Sequence, residues 1–424
     1  MKLKIISSLV LLAGMVTLLS TTLKAQTDTL DNLQEFNARK GLPNFFAKVK
    51  SGKAVSIAYL GGSITAAQGG WREQSLKWFQ DQYPQAEIKH INAGVGGTGS
   101  DLGVFRVKND VINFHPDLVF VEFAVNDGGL APERIYQTME GIVRQVWRAD
   151  AKTDICFVYT LSGNMVPTLQ AGKLWPSMLA MEHVALFYDI PSVKFGPEVI
   201  SLIKDNRLIF QGKPEENLGK IVFSVDNVHP LAQTGHKIYT EVLTRSLKLI
   251  QNNTETFKHK LGKPYVADNW EEAQMISVKA LTKTGDWQEL TDADTVAKTF
   301  RSKFPCLIKS DNGGAAIKVR FKGRMAGIYD IMGPGSGQYS VVSDGGAPQL
   351  YTRFDKYGTY YHSNYFCLPM MPQGEHEVEF RVSTRPQDKM AILRKGNGII
   401  GDLAKYNENS CYAGWLLLLG KLKN

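Results

Sequence analysis

Short apolar segments alternate with helical patterns between residue 53 and about residue 250. Four of the apolar segments are predicted to be buried strands: residues 55–60, 86–91, 117–123 and 154–160. Strands and helices that alternate in this way form a parallel sheet covered on both faces, with the carboxyl ends of the strands along one edge. The pattern therefore predicts a three-layer α/β/α domain that binds its ligand at that edge.

The pattern changes after residue 262. Short alternating segments, separated by Gly, Pro and Asp, predict strands at residues 315–321, 327–331, 340–342, 351–354, 376–382 and 415–419. Several short strands of this kind are typical of an antiparallel β-sandwich. We therefore predict an α/β domain over residues 26–262 and an all-β domain over residues 263–424.

The first 25 residues have the layout of a secretory signal peptide. Lys2 and Lys4 precede an apolar run from residue 5 to about residue 19, and Ala25 offers a small residue before a cleavage site. An uncleaved membrane anchor is the alternative. We expect export to the periplasm or beyond, with no membrane span in the mature chain.

The charge and the cysteine content narrow the choice of partners. Without residues 1–25 the net charge falls from +8 to +5, and no dense run of Lys and Arg remains, so nucleic acid is not an expected partner. The four cysteines form no CxxC pair and the histidines lack ligand spacing, so neither a metal nor another cofactor is predicted. A bridge between Cys306 and Cys367 and free buried thiols are both compatible with the sequence.

Four loops carry polar residues that should meet at one edge of the sheet. Ser63 follows the first strand within Gly-Gly-Ser, residues 92–100 are dense in glycine, Asn126 follows the third strand, and residues 226–230 precede the last helix. Ordinary turn and helix-cap chemistry explains each loop taken alone. Their occurrence together at the ends of elements points to a common site.

These residues are the ones that acyl transfer by a serine requires, namely a base, a group that orients the base, and donors for the oxyanion. His229 can take the hydroxyl proton of Ser63, and Asp226 can accept the other imidazole N–H. Asn126 and a glycine N–H can bind the oxyanion. The pattern predicts a serine hydrolase.

The same four blocks resemble those of the SGNH (GDSL-type) hydrolases, a flavodoxin-like α/β family of serine esterases. Gly-Asp-Ser-Leu/Ile corresponds to residues 61–64, the Asn-to-Gly block to residues 92–97, Gly-x-Asn-Asp to residues 124–127, and Asp-x-x-His-Pro to residues 226–230. Gly62 stands where the family has aspartate, and Ala124 stands where it has glycine.

The resemblance implies a role for each residue. Ser63 would be the nucleophile, His229 the base and Asp226 its partner. The oxyanion hole would comprise the N–H groups of Ser63 and Gly97 and the side-chain amide of Asn126.

A dinucleotide site is a competing interpretation of one loop. Residues 94–99 satisfy GxGxxG after a strand, and Glu122 lies at the end of the next strand. The motif follows the second strand rather than the first, however, and residues 101–103 are a poor start for the helix of that fold. We therefore do not predict NAD.

The substrate follows from family and location. Exported SGNH-like esterases with an appended, jelly-roll-like sandwich resemble bacterial carbohydrate esterases, which implies removal of small acyl groups, acetyl above all, from a polysaccharide. Trp71 and Arg72 follow the serine loop and either line the pocket or lie in the core. The alternatives are a lipase or thioesterase, and a glycan-binding protein without activity. The sequence leaves the oligomeric state open.

An aromatic segment, residues 351–366, admits two interpretations. Its tyrosines either bind sugar rings or form core and interface.

Overall fold

The computed structural model describes residues 30–396 and 398–423, so the predicted signal segment lies outside the described residues. The chain divides into two units, the first ending at Glu271 and the second beginning at Glu272. Each is described by itself below.

The division lies beyond the boundary expected after residue 262, because the intervening segment packs on the first unit. The N–H groups of Tyr265 and Val266 donate to the buried Glu140 carboxylate at 2.5 and 2.8 Å. Trp270 is buried and its ring lies 5.6 Å from that of Phe105.

The first unit is built on a six-stranded sheet. Its strands are β1 (Phe36–Asn37), β2 (Val55–Gly61), β3 (Ile88–Gly94), β4 (Leu118–Glu122), β5 (Asp154–Tyr159) and β6 (Ser192–Lys194). They lie in the order β1-β6-β5-β4-β2-β3, all parallel except β1, which pairs antiparallel with β6 at one edge. The order β3-β2-β4-β5-β6 is that of flavodoxin-like sheets.

Helices cover the sheet: α1 (Pro43–Lys50), α2 (Ser63–Ala66), α3 (Trp71–Gln82), α4 (Ser100–Asp110), α5 (Pro132–Ala149), α6 (Val166–Gln170), α7 (Pro176–Phe187), α8 (Gly196–Lys204) and α9 (Gly235–Ile250). Strands β4 and β5 are buried along their whole length, as expected for strands covered on both faces. A separate parallel pair, β7 (Leu208–Gln211) and β8 (Ile221–Ser224), precedes α9. The α/β prediction is confirmed.

The second unit is entirely antiparallel in its sheets. Its strands are β9 (Ala273–Ser277), β10 (Thr282–Thr284), β11 (Gln288–Glu289), β12 (Ile308–Ser310), β13 (Ala316–Met332), β14 (Gln338–Ser343), β15 (Gln349–Thr352), β16 (His362–Cys367), β17 (Gly374–Val382), β18 (Cys411–Ala413) and β19 (Trp415–Lys423). The short helices α10 (Thr295–Phe300) and α11 (Lys389–Leu393) lie between strands.

Two sheets of this unit share one hydrophobic core. The larger sheet is centred on β13, and the smaller one has the order β11-β12-β18. Ile308 and Ala413 of the smaller sheet belong to the same buried cluster as Val319 and Leu416 of the larger one. The predicted all-β domain is therefore confirmed as two sheets that enclose a core.

The thiol of Cys306 is free, so the bridge to Cys367 that the sequence allowed is not formed. Cys156 and Cys411 are free and buried as well. Burial raises the pKa of both thiols, which keeps them protonated and unreactive.

Among the described residues, no helix combines the length and the apolar character that crossing a bilayer requires. This concerns only residues 30–396 and 398–423.

Candidate active site

The site lies where the strand order of the α/β sheet reverses. β2 is flanked by β3 and β4, so the chain leaves β2 toward one side and later returns to the other. Ser63 follows β2, and Asn126 begins a short 3-10 turn (Asn126–Gly129) after β4. Open α/β sheets bind ligands outside the carboxyl ends of strands at such a reversal.

Ser63 is the first residue of α2 and follows two glycines. A larger residue at either glycine would have to displace a neighbouring side chain. A β-carbon on Gly61 would overlap the Thr65 hydroxyl, and one on Gly62 would overlap the side-chain amide of Asn126. Gly62 allows that amide to lie directly beside the serine turn.

A buried acid supports the serine turn from below. The fully buried Glu122, the last residue of β4, accepts hydrogen bonds from Thr65 Oγ1 at 2.8 Å and Thr160 Oγ1 at 2.5 Å. The Gly62 N–H donates to the same carboxyl group. Burial raises the pKa of Glu122, and the hydroxyl donors counteract part of that effect.

Arg106 joins the ends of the two neighbouring strands. Its guanidinium, on α4, is fully buried and donates to the carbonyl oxygens of Ala93 at 2.6 Å and Gly61 at 2.9 Å. Arg106 also pairs with Asp110 at 3.0 Å. These bonds fix the strand ends from which the serine loop and the glycine-dense loop depart.

The structure brings Ser63, His229 and Asp226 into one hydrogen-bonded chain. His229 Nε2 lies 2.8 Å from Ser63 Oγ, and His229 Nδ1 lies 2.6 Å from Asp226 Oδ2. A carboxylate facing Nδ1 favours the tautomer with its proton on that nitrogen. Nε2 is then free to accept the serine proton.

The second oxygen of Asp226 is fully used within its own loop. Oδ1 accepts from the N–H groups of Val228 at 2.9 Å and His229 at 2.7 Å, and from Ser224 Oγ at 3.0 Å. Partial burial would raise the pKa of Asp226, but these donors and the His229 imidazole hold it well below its ordinary value. The group is a carboxylate at neutral pH.

Asn227 shapes the loop between the acid and the base. It has a positive φ of 70°, which asparagine tolerates better than most residues. Its carbonyl accepts from the Gly163 N–H at 2.9 Å, and its side chain lies so close to Gly163 that a β-carbon there would overlap it. The loop is thereby docked on the turn that follows β5.

The glycine-dense loop lies beside the serine. Gly97 is exposed with φ of 72°, and a β-carbon on Gly96 would be 3.7 Å from Ser63 Cβ. The next residues are held by the buried Asp127, whose Oδ1 accepts from the Ser100 N–H at 2.9 Å. Burial raises the pKa of Asp127 to about 7. Asp127 thus connects the loop of Gly97 to the loop of Asn126.

Trp71 and Arg72 lie in the core rather than in a pocket. Trp71 is fully buried, with its ring 5.3 Å from Tyr59 and 5.9 Å from Phe120. Arg72 is buried and donates to the Thr65 carbonyl at 3.1 Å. Proximity in sequence to Ser63 was the only basis for placing them in the pocket, and the first turn of α3 directs both inward.

The structure argues against a dinucleotide site, because the acid that such a site would use is not accessible. Glu122, which would have to contact a ribose, is buried and bonded to Thr65 and Thr160. Among residues 30–396 and 398–423, no three His, Cys, Asp or Glu side chains are grouped so that they could hold a metal ion.

In the aromatic segment of the second unit, residues 351–366, some rings pack on the core and others are exposed. Tyr351 and Phe366 stack at 5.0 Å against the sandwich core. Tyr357 and Tyr360 are 48% and 56% exposed and flank His362.

Sequence reasoning missed the buried polar residues that hold the site. Glu122 and Arg106 are charged residues within otherwise apolar elements, which is a signal for an internal partner but does not identify it.

Comparisons with known proteins give the family and the fold that the chain resembles. Residues 59–211 match the model of the GDSL-like lipase/acylhydrolase family. A search of the curated proteins finds no match.

Two solved structures resemble both units. One is a two-domain esterase (CEX) active on acetylated mannans, at a TM-score of 0.70 and 20% identity, covering 93% of this chain and 98% of that chain. The same esterase co-crystallised with mannopentaose gives a TM-score of 0.67 and 19% identity, covering 90% of this chain and 94% of that one. At such identities the likeness shows a shared two-domain fold. The stretch that matches the GDSL-like lipase/acylhydrolase model, residues 59–211, lies within the α/β unit.

Proposed function

We propose that this protein is an exported serine esterase that removes acetyl groups from a polysaccharide. The observation that carries the proposal is the placement of His229 between Ser63 Oγ and Asp226 Oδ2, at 2.8 and 2.6 Å. Nucleophile, base and orienting acid in this geometry are the requirements of acyl transfer through a covalent intermediate.

The first half of the reaction forms an acyl-enzyme. Ser63 Oγ attacks the ester carbonyl while its proton passes to His229 Nε2, and Asp226 stabilises the resulting imidazolium. The N–H groups of Ser63 and Gly97 and the amide of Asn126 donate to the oxyanion. The intermediate collapses, the carbon–oxygen bond to the sugar breaks, and His229 protonates the leaving sugar oxygen.

The second half releases the acid. His229 takes a proton from water, which attacks the acetyl-serine carbonyl through a second oxyanion at the same donors. The bond to Ser63 Oγ breaks, and the serine recovers its proton from His229. Water is consumed and acetate is released, so the reaction balances without an oxidant or a reductant.

The accessibility of the site supports a polymeric substrate. The side chains of His229 and Asp226 are 51% and 49% exposed, so the base stands at the surface rather than at the bottom of a tunnel. A hydrated polysaccharide can present an acetyl group to such a site without leaving its solvent shell. The esterase active on acetylated mannans shares the two-domain fold, which adds to the case for a carbohydrate ester.

The mature protein should hydrolyse p-nitrophenyl acetate, and Ser63→Ala should lower kcat on the order of 10⁴-fold or more. Ser201→Ala, at an exposed position on α8, serves as the matched control with unchanged activity. Full activity in Ser63→Ala would exclude the mechanism. Acetate release from acetylated mannan, xylan and pectin then identifies the polymer, and a preference for long-chain nitrophenyl esters would favour a lipase instead.

A second function is favoured by one observation. The exposed Tyr357 and Tyr360 beside His362 offer ring faces and polar edges of the kind that bind sugars. A glycan-binding protein without ester turnover would use them. Retained glycan binding with no hydrolysis of any ester by the wild type would favour this function, whereas loss of binding in Tyr357→Ala with full turnover assigns binding to the second unit.

Export remains part of the proposal. It is tested by expressing the full chain with its first 25 residues in a bacterial host. We expect the mature protein in the periplasm or medium, with Asp and Lys substitutions in residues 5–19 abolishing its release.

A further inference from the structure

A second concave site lies in the α/β unit on the edge of the sheet opposite to Ser63. It is a cavity of about 550 Å³, here called the basic cavity, and its lining includes Trp147, Phe187, Lys258, Lys260 and Lys263. Its volume is within the range of small-ligand sites.

Hydrogen bonds of two lining residues place the basic cavity at the amino end of β5. His259 Nε2 lies 2.9 Å from Oδ1 of Asp154, the first residue of β5, and Trp147 Nε1 donates to the Thr153 carbonyl at 3.0 Å. Both contacts are at the amino end of β5, whereas Ser63 follows the carboxyl end of β2. The length of β5 separates the two edges by about 20 Å. A ligand in the basic cavity is therefore outside the catalytic centre.

The chain that presents the lysines is anchored at several points. The His259 N–H donates to the Ala151 carbonyl at 2.8 Å, and the Phe257 N–H donates to Asn44 Oδ1 at 3.0 Å. The Gly262 carbonyl accepts from Arg144 Nη1 at 3.3 Å. Although this segment has no regular secondary structure, its backbone is fixed on both sides of Lys258 and Lys260.

The charge of the basic cavity is unbalanced. Of the four lysines in its lining, Lys40 pairs with Asp189 at 2.6 Å. Lys258, Lys260 and Lys263 form no ion pair with any residue in the described part of the chain. The nearby Asp154 is already bonded to His259, Asn44 and the Phe45 N–H, so it does not offset them. Unpaired cations around a concavity favour an anionic ligand.

Aromatic side chains line the basic cavity, although Trp147 itself is only 3% exposed. The rings of Trp147 and His259 stack at 4.2 Å with an angle of 7°, and Phe257 meets the His259 ring edge-on at 4.8 Å. Phe187 is 47% exposed at the rim, so it gives up about half of the free energy that full burial would contribute. A ligand with an apolar face would cover it.

We propose that the basic cavity binds a saccharide whose ring carries an anionic group, a carboxylate or a sulfate. The lysines attract the anion, and Phe187 packs against the apolar face of the ring. The compact cavity, with only three unpaired lysines, suits a saccharide better than the long phosphate backbone of a nucleic acid. The site holds a polyanionic chain on the enzyme at a distance from the reaction, and it does not depend on the proposed esterase activity.

The test measures binding by calorimetry to the full chain carrying Ser63→Ala, so that turnover cannot consume a ligand. The probes are tetragalacturonate, a sulfated tetrasaccharide and neutral xylotetraose, each at low and high salt. We expect at least one anionic probe to bind, more weakly at high salt, and xylotetraose to bind at least about tenfold more weakly. Whichever anionic probe binds better identifies the carboxylate or the sulfate as the source.

Substitutions locate the binding. Replacing Lys258, Lys260 and Lys263 together by alanine should weaken binding about tenfold, since each exposed ion pair contributes modestly. The matched control replaces three exposed lysines that lie on helices away from the cavity, Lys108, Lys204 and Lys237, and should bind as the parent does. Phe187→Ala should weaken saccharide binding about fivefold. All variants are checked for an unchanged melting temperature and, with Ser63 restored, for unchanged hydrolysis of p-nitrophenyl acetate.

Three results would overturn the proposal: no binding of either anionic probe, equal binding of xylotetraose and the anionic probes, or unchanged binding in the triple lysine variant. If the wild type did not hydrolyse p-nitrophenyl acetate, this would contradict the esterase proposal but not the proposal for the basic cavity.

Discussion

The loop that carries Ser63 and the loop that carries His229 differ in what lies beneath them. The serine turn rests on two fully buried ionisable side chains, Glu122 and Arg106, that bond to its own backbone and to neighbouring hydroxyls. The base loop is half exposed, and its acid is held by N–H groups two and three residues further along the same loop. One half of the site is supported by the core and the other by itself.

Because of this difference, substitutions in the two loops should have different effects on stability and on catalysis. Disturbing a buried polar network leaves donors without acceptors and destabilises the fold. Disturbing a local, solvent-exposed turn changes only the geometry of that turn. Substitutions on the serine side should therefore affect both stability and catalysis, whereas those on the base side should affect catalysis alone.

Asp226→Asn should have the largest effect, a fall in kcat without a loss of stability. The asparagine can keep the acceptor for the Val228 and His229 N–H groups, but it presents an NH₂ group to His229 Nδ1 and so favours the wrong tautomer. We expect kcat to fall on the order of 10³–10⁴-fold with an unchanged melting temperature. Ser224→Ala, which removes one donor to Asp226, should cost only a few-fold. A large loss of stability in Asp226→Asn would contradict the contrast drawn above.

Gly62→Ala should remove one oxyanion donor. The new β-carbon would occupy the place of the Asn126 side-chain amide, which must move away from the serine turn. The expected loss is on the order of 10²-fold in kcat, with KM little changed, because the interaction forms only in the transition state. Gly129→Ala, on the same turn as Asn126 but with open space around its β-carbon, is the control. Equal kinetics for the two variants would remove Asn126 from the oxyanion hole.

Glu122→Ala should destabilise the protein by about 3 kcal/mol, because Thr65, Thr160 and the Gly62 N–H lose a buried acceptor. Urea-induced unfolding measures this change. Glu122→Gln keeps an acceptor oxygen and should cost about 1 kcal/mol. If the alanine variant were as stable as the wild type, the serine turn would not depend on the buried acid.

Asp127 should show the smallest effect, as a dependence on pH. Its folded pKa, raised by burial to about 7, exceeds the unfolded value, so folding favours the protonated acid and stability falls as pH rises toward 7. Between pH 5.5 and 7 the wild type should lose about 2 kcal/mol relative to Asp127→Asn. Above pH 8 the difference between the two proteins should be constant. A difference that is already constant between pH 5.5 and 7 would mean that Asp127 is ionised throughout.

The sequence predicts the residues of the site better than the buried residues that hold them in place. Ser63 and Asn126 follow two neighbouring strands of one parallel sheet, and topology alone places such positions at one edge. His229 follows a strand of a separate pair, so its place at the site was indicated by the motif that precedes the last helix and not by the sheet. The three-residue β6 was missed, because residues 192–204 also carry a helical pattern that begins in earnest only at Gly196. Short strands inside the sheet are specified by their neighbours, not by their own length.

Contacts between distant residues explain the remaining errors. Nothing near Trp71 indicates that Tyr59 and Phe120 will enclose it, and nothing near Glu122 indicates that Thr65 and Thr160 will bond to it. Such partners depend on how strands and helices are packed in three dimensions. The position of a polar residue in an apolar strand shows that a partner must exist, but only the fold identifies the partner.

The pairing of the long strand β13 has a consequence for how the second unit forms during synthesis. Its residues 320–329 pair with β19, which lies roughly a hundred residues later in the chain, so that this contact is among the least local in the protein. A ribosome must therefore deliver Trp415–Lys423 before residues 320–329 of β13 acquire this neighbour, whereas residues 316–318 pair with the earlier strand β10. Until then this stretch of β13 presents an unpaired edge, and nascent chains of this unit should depend on chaperones more than those of the α/β unit, whose parallel strands find partners nearby in sequence.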